Sequence, residues 1–362
     1  MPWWPIWLSS QGLSEVEIGD LLAFERIFIV AVSLIVAHYS DRTGHRRKIL
    51  ILFAVGMTVG YALFDVATVL WHFFVIAAFS AICRSPLIPL SDSITMTHVR
   101  REEAEYGKVR LWGTISFILG SYAGGGILAY LSDDIILWAI VLSCVFVVAG
   151  FWVLPDTRSE GVAPHFTAGI RLATRPIFVL FVITVALSMT SHTAVYVFGS
   201  LYWRGEGISE ATISFFWAFG AASEIFVFWK GAALLKRFGP IMLIFSGATA
   251  GVLRWYLTGI STEIWVLTIA QALHAFTFGA AHLGGMTFIS RIAPKELLTT
   301  AQTLYTALAM GAAMALMTPI TGRLYQMVGP EGTFFVMMAL AGSSSVFALV
   351  LYWLWNGKQI SV

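Results

Sequence analysis

Long apolar runs separated by short polar breaks recur along the chain at intervals of about 25 to 35 residues, without the two-residue alternation of a barrel strand. A hydrocarbon core about 30 Å thick needs roughly 20 apolar residues in helical form. The pattern predicts full helices near 17–38, 48–66, 70–97, 108–131, 135–154, 176–201, 211–235, 240–259, 263–290, 297–327 and 332–355. These are eleven membrane spans. The opening Met1–Leu8 (MPWWPIWL) is apolar and aromatic, yet as a helix it reaches only about 12 Å and lacks the basic start and cleavage site of a secretory signal. It reads as the outer end of a first span whose beginning is missing, so that restoring it would give two sets of six. The alternative is an aromatic anchor at the lipid interface.

Composition agrees with an all-α integral membrane protein. A chain of 362 residues that is 58% hydrophobic and 12% charged, with a mean hydropathy of +0.81, has too little polar surface for a soluble protein. The net charge of +2 without a basic tract gives no reason to expect a nucleic-acid partner. Cys83 and Cys144 both lie inside apolar runs, which excludes a disulfide scaffold and a cysteine-ligated metal. No HExxH helix, GxSxG turn or glycine-rich phosphate loop with its lysine occurs, so enzymatic and ATP-driven chemistry have no carrier and neither metal nor cofactor is expected.

The breaks fall into two alternating classes. One holds Arg42, Arg46, Arg47 and Lys48, then Arg100, Arg101, Lys108 and Arg110, then Arg158, Arg171 and Arg175, then Lys236 and Arg237, Arg291 and Lys295, and Lys358; the other holds only Arg204. Positive charge collects on the cytoplasmic side, which places the first class and the C-terminus there, in a multi-pass protein of the cell's inner (plasma) membrane. The longest polar break, 155–175, reads as an interdomain linker between an N-terminal bundle (1–154, first span truncated) and a C-terminal six-helix bundle (176–362).

The cytoplasmic turn Ala37–Arg47 (AHYSDRTGHRR) combines an acid, a glycine and a basic cluster, and a worn copy appears as Ala232–Gly239 (AALLKRFG), about 195 residues later. This pattern resembles the loop signature of the major facilitator superfamily, with Ala37 and His45 as departures. Ser85–Asp92 (SPLIPLSD), Tyr106–Gly113 (YGKVRLWG), Gly251–Trp255 (GVLRW) and the segment from His274 to His282 resemble the phenylpropionate permease group within it. The resemblance implies two pseudo-symmetric helical bundles working by alternating access, proton-coupled import of an aromatic acid, and a monomer.

Ionisable groups at membrane depth are costly and therefore informative. Counted at about 1.5 Å per residue, Glu224 lies roughly 20 Å, His274 roughly 16 Å and Arg254 about 7 Å from the outer ends of three successive helices. The trio resembles the proton-coupling group of sugar symporters. Glu224 is the expected proton carrier, with a structural ion pair to Lys230 or Arg254 as the alternative; His274 can share the proton, and Asp92 can carry one or tie the inner gate. Arg254 and Arg84 are expected carboxylate anchors, since a guanidinium holds a carboxylate through two hydrogen bonds. Gln271, His274, Phe278 and His282 fall on one helical face, as do Ser188, His192 and Tyr196; Gln271, His192 and Tyr196 are expected cavity residues, and Tyr196, Trp217 and Trp255 are candidates for stacking on a cargo ring. The remaining tryptophans read as lipid-interface anchors. Glu25 and Arg26, adjacent in sequence, read as a local pair. Pro86 and Pro89 predict a bend. Asp41, Arg42, Gly44, Arg46 and Arg47, with Lys108 and Arg110, form the expected cytoplasmic gate, though the same charges also set topology. Competing readings are symport of a neutral sugar or nucleoside, drug export, and a non-transporting remnant.

Overall fold

The computed structural model describes residues 2–43, 46–100, 106–128, 130–154, 166–294 and 297–360. It is built from helices in two compact units, Trp3–Val162 and Ala163–Val362.

The first unit contains α1 (Trp4–Ser10), α2 (Glu15–Thr43), α3 (Arg46–Leu63), α4 (Leu70–Arg84), α5 (Leu87–Arg100), α6 (Tyr106–Leu128) and α7 (Ile135–Val153). A reciprocal cap starts α2: the Ser14 backbone N–H donates to Glu17 Oε2 at 2.8 Å, and the Glu17 N–H donates back to Ser14 Oγ at 3.3 Å. The opening segment is interior, not an interfacial anchor. Trp4 and Trp7 stack at 4.9 Å and meet Phe64 edge-on at 5.0 and 6.0 Å, and both tryptophans are buried. Trp3, Trp203 and Trp255 are buried as well, exceptions to the expectation that the tryptophans are mostly lipid-interface anchors; Trp71, Trp112, Trp138, Trp152, Trp229, Trp265 and Trp353 stand exposed. The predicted bend at 85–89 is a break. α4 ends at Arg84, Pro86 has no N–H to donate, and the Ser85 hydroxyl turns back to the Ile82 carbonyl at 2.9 Å.

The second unit contains α8 (Phe166–Ala173), α9 (Pro176–Thr190), α10 (Thr193–Gly205), α11 (Glu210–Phe238), α12 (Pro240–Ile260), α13 (Ile264–Ala272), a π-helical turn (Ala275–Ala280), α14 (Ala281–Ile292), α15 (Leu298–Tyr305), a second π-helical stretch (Thr306–Ala312) and α16 (Ala313–Leu354). Of the stretch predicted as a linker, residues 155–165 lie outside the described residues, and α8 contributes Leu172 to a core with Phe178, Phe181, Phe288, Tyr305 and Leu351. Where one helix was predicted over 176–201, α9 and α10 are separated at Ser191–His192. The side chains there serve their own turn: Ser191 Oγ donates to the Ser188 carbonyl at 2.6 Å and Thr193 Oγ1 to the Thr190 carbonyl at 2.8 Å. Polar side chains also tie helices together, with Ser344 Oγ donating to the Thr184 carbonyl at 2.7 Å and Thr193 and Thr321 sharing a hydrogen bond of 2.8 Å.

Among the described residues eight helical stretches are long and apolar enough to cross a membrane. One of them, Thr300–Leu354, runs for 55 residues, about 80 Å if straight and far more than a bilayer. Gly329 divides it with φ 73°, a left-handed backbone that glycine adopts without penalty, and Pro330 starts the next helix. Divided there, and with α2 and α6 counted by length, the stretches correspond to the predicted spans. Gly247 lets α12 approach the first π turn: a Cβ at that position would sit 2.7 Å from the Phe276 carbonyl oxygen.

Candidate functional site

The three ionisable residues placed at membrane depth in the second unit meet in one cluster. Arg254 on α12 is 2% exposed. Its Nη1 donates to His274 Nδ1 at 2.8 Å and to Thr277 Oγ1 at 2.9 Å, and its Nη2 donates to Gln271 Oε1 at 3.0 Å. His274 Nε2 lies 3.1 Å from Glu224 Oε1. Arg254, toward the C-terminal end of α12, reaches His274 through the length of its side chain.

Donor and acceptor roles follow from chemistry alone. A guanidinium only donates, so His274 Nδ1 accepts; its proton is then on Nε2, which donates to the Glu224 carboxyl. On the other side His192 Nδ1 is 3.0 Å from the Ser188 carbonyl, which only accepts, so that nitrogen carries the proton. His192 Nε2 is left as an acceptor for the Thr277 hydroxyl at 3.1 Å. The result is a directed chain in which Thr277 receives from Arg254 and gives to His192, while Arg254 gives to His274 and His274 gives to Glu224.

Every hydrogen-bond acceptor that holds Arg254 is neutral in this chain, and its Nε has no partner. The carboxyl that balances its charge is one imidazole away. Glu224 is also the accessible end, with 19% of its side chain exposed against 12% for His274. The histidine links this carboxyl to the buried guanidinium.

Aromatic rings surround the cluster. His192 stacks on Tyr196 at 5.5 Å, and Tyr196 stacks on Trp217 at 6.2 Å, whose indole N–H donates to Ser200 Oγ at 2.9 Å. His274, Phe278 and His282 stack in turn at 5.5 and 5.6 Å. The π turn that begins after His274 carries Thr277 and Phe278, and such turns recur at functional sites. Trp255 is placed differently from the expectation of an open stacking face: it is fully buried, its ring lies under the Arg254 guanidinium at 4.6 Å, and its N–H donates to Ser191 Oγ at 3.0 Å. Lys230, weighed as a partner for Glu224, lies instead over the Trp229 ring at 4.0 Å. Thr277 is a site residue that sequence reasoning passed over, because a lone hydroxyl in an apolar run looks like filler.

The first unit holds a second cluster. Arg84, at the end of α4, pairs through Nη2 with Glu25 Oε2 at 2.7 Å and donates through Nη1 to the Tyr61 hydroxyl at 3.2 Å. Glu25 thus pairs across helices, where adjacency had suggested Arg26. Asp92 is half-buried on α5. Of the expected gate, Gly44 and the side chains of Asp41, Arg42, Lys108 and Arg110 lie outside the described residues. Arg46 is buried, and Arg47 donates to the Trp152 carbonyl, capping the last turn of α7 within the same unit.

Comparison with known proteins places this architecture. The model of the MFS_1 like family matches residues 1–336. A protein of Escherichia coli (strain K12) described as a probable 3-phenylpropionic acid transporter is 30% identical over 94% of this chain and 90% of its own. The maltose permease of Geobacillus stearothermophilus is 24% identical over 91% and 84%. In fold, a mutant form of the nucleoside transporter NupG superposes with a TM-score of 0.88 at 13% identity, covering 97% of this chain and 95% of that one. With multiple apolar helices, two helical units and a family match over most of its length, the chain belongs to the MFS_1 like family of major facilitator membrane transporters.

Proposed function

We propose that this transporter is a monomeric, proton-coupled importer of a small aromatic carboxylate, working by alternating access in the inner (plasma) membrane with its C-terminus in the cytoplasm. The observation that carries the reading is the Glu224–His274–Arg254 relay. With Glu224 ionised, the cluster holds one negative and one positive charge. A proton on Glu224 leaves the Arg254 charge uncompensated, at a cost of several kcal/mol in a dry interior. An anionic cargo bound beside this cluster relieves that cost through its field, so proton and anion each favour the other's binding, which is the reciprocity that symport requires.

Within the second unit Arg254 tunes the proton site; within the first, Arg84 is the carboxylate anchor, with 31% of its side chain exposed where Arg254 has 2% of its surface exposed. Within the second unit, the half-buried ring of Trp217, stacked on Tyr196, is the aromatic surface on which an aryl group would be tested. His192 and Gln271 hold the relay in register. Asp92 and the basic cytoplasmic turns, including Asp41, Arg42, Gly44, Arg46, Arg47, Lys108 and Arg110, act at the inner gate. The 30% identical relative, whose description names 3-phenylpropionic acid, supports an aryl acid. A neutral cargo is the second reading, favoured by the relative that is a maltose permease.

Proteoliposome uptake driven by an imposed pH gradient, with a panel of aryl acids, sugars and nucleosides, separates the two. Glu224→Gln keeps an oxygen to accept from His274 Nε2 but cannot exchange a proton. We expect it to lower by one the number of protons imported with each cargo while leaving cargo exchange at equal pH intact. An unchanged proton-to-cargo ratio in Glu224→Gln would overturn the relay; accumulation of sugars or nucleosides but no aryl acid would overturn the cargo.

A further inference from the structure

The Glu25–Arg84–Tyr61 cluster in the first unit has a chemistry that the relay in the second does not use. Glu25 is 3% exposed. One carboxylate oxygen holds Arg84, and the other, Oε1, is buried without a hydrogen-bond partner. Buried carboxylate oxygens are ordinarily satisfied, so a vacant one is a place for a proton. Arg84 presents the opposite face of the same pair, since nearly a third of its side chain is open. Tyr61 is 1% exposed and fixes the guanidinium through Nη1 from below, braced by its edge-on contact with Trp4 at 5.6 Å.

We infer that this cluster is a carboxylate-exchange site: an anionic carboxylate cargo replaces Glu25 on the Arg84 guanidinium, and the displaced Glu25 takes up a proton on its vacant oxygen. The inference rests on the proposed carboxylate cargo and adds a second proton-binding carboxyl to it. Charge decides between exchange and simple addition. Two ionised carboxylates on one guanidinium would leave a net negative charge in a site with one buried carboxylate, which costs several kcal/mol. Taking a proton from solvent keeps the site neutral before and after: Glu25 and Arg84 cancel when empty, and cargo and Arg84 cancel when loaded. No bond other than the new O–H forms.

The neighbouring titratable or charged groups on the packed helices are Arg26 on α2, Tyr61 on α3, Cys83 on α4, Asp92 on α5 and Cys144 on α7. Arg26 follows Glu25 directly, about 100° round the helix. The phenol and the two thiols are already protonated at neutral pH and have no proton to gain. Asp92 lies eight residues beyond Arg84, across the break between α4 and α5. Glu25 is the carboxyl in contact with the guanidinium.

The test is the number of protons taken up when 3-phenylpropionate binds to the purified full-length chain, measured calorimetrically in buffers of different ionisation heat, with the neutral amide of the same acid as control. Glu224→Gln removes the proton of the relay and isolates that of Glu25. Glu224→Gln is expected to take up one proton per acid bound, its Kd rising tenfold for each unit of pH above neutrality, and none with the amide. Glu25→Gln in the same background is expected to bind the acid with no proton uptake and a flat pH dependence. Infrared difference spectra of Glu224→Gln, which need no change at Glu25, should gain a protonated-carboxyl C=O band with the acid and not with the amide. Proton uptake that persists without Glu25, or acid binding to Glu224→Gln without uptake and without the band, overturns the exchange. Those results leave the relay standing if wild type takes up one more proton per acid than Glu224→Gln, whereas one proton per acid in both wild type and Glu224→Gln would retain the exchange and sink the relay. Failure of the wild-type chain to bind any aryl acid overturns both.

Discussion

Thr277 is the branch point between the two histidines of the second unit, and replacing it by valine removes its hydroxyl while preserving shape. Two bonds disappear, the one from Arg254 Nη1 at 2.9 Å and the one to His192 Nε2 at 3.1 Å. His192 is 1% and Arg254 2% exposed, so solvent does not replace them. An unsatisfied buried polar group costs about 1–3 kcal/mol, and Thr277→Val leaves one on each residue, for a loss of about 2–4 kcal/mol after local relaxation. Thr277→Ser keeps both bonds and forfeits one methyl, about 1 kcal/mol. Adding His192→Phe to Thr277→Val removes one of the stranded groups, so the double variant should be about 1 kcal/mol more stable than the two single losses predict. Reversible unfolding of the purified protein in mixed detergent and SDS micelles, followed by tryptophan fluorescence, measures all four variants, His192→Phe alone included. If Thr277→Val were as stable as Thr277→Ser, the directed chain through Thr277 would be refuted.

Two packing predictions can be read by the same unfolding measurement. Gly247→Ala would gain about 1 kcal/mol from helix propensity alone, but its Cβ would meet the Phe276 carbonyl at 2.7 Å, so a net loss of about 1–3 kcal/mol is expected; a gain would show that α12 and the π turn are not tightly apposed. Trp4→Ala should cost about 3–4 kcal/mol by opening a cavity, whereas Trp4→Phe should cost less than half of that, because the Trp4 indole N–H has no acceptor to lose; equal losses would contradict the packing of α1.

Hydrophobic run length made the helices legible because a bilayer demands it, and the rarity of charge at depth made Glu224, Arg254 and His274 legible for the same reason. What stayed hidden depends on three-dimensional partners. Glu25 and Arg26 are neighbours in sequence, but successive helical residues point in different directions, and Glu25 found Arg84, 59 positions away. The break at Ser191–His192 has no proline to announce it, being made by side chains that satisfy their own carbonyls. The π turn after His274 leaves the spacing of Gln271, His274, Phe278 and His282 readable as an ordinary helix, so nothing in the periodicity marks it. Tryptophan counts alone could not separate interface anchors from Trp4 and Trp7, since the indole suits both a headgroup region and an aromatic core.

Each unit contains a carboxyl linked to a guanidinium, Glu25 with Arg84 directly and Glu224 with Arg254 through an imidazole. With both acids protonated and one monovalent anion aboard, the occupied carrier bears one net elementary charge more than the empty one. Its inward step is then electrogenic: a negative-inside voltage would add about 2.3 kcal/mol per 100 mV to whatever the acidity difference supplies. Such a cell could concentrate an aryl anion even from a neutral medium, drawing on polarisation alone.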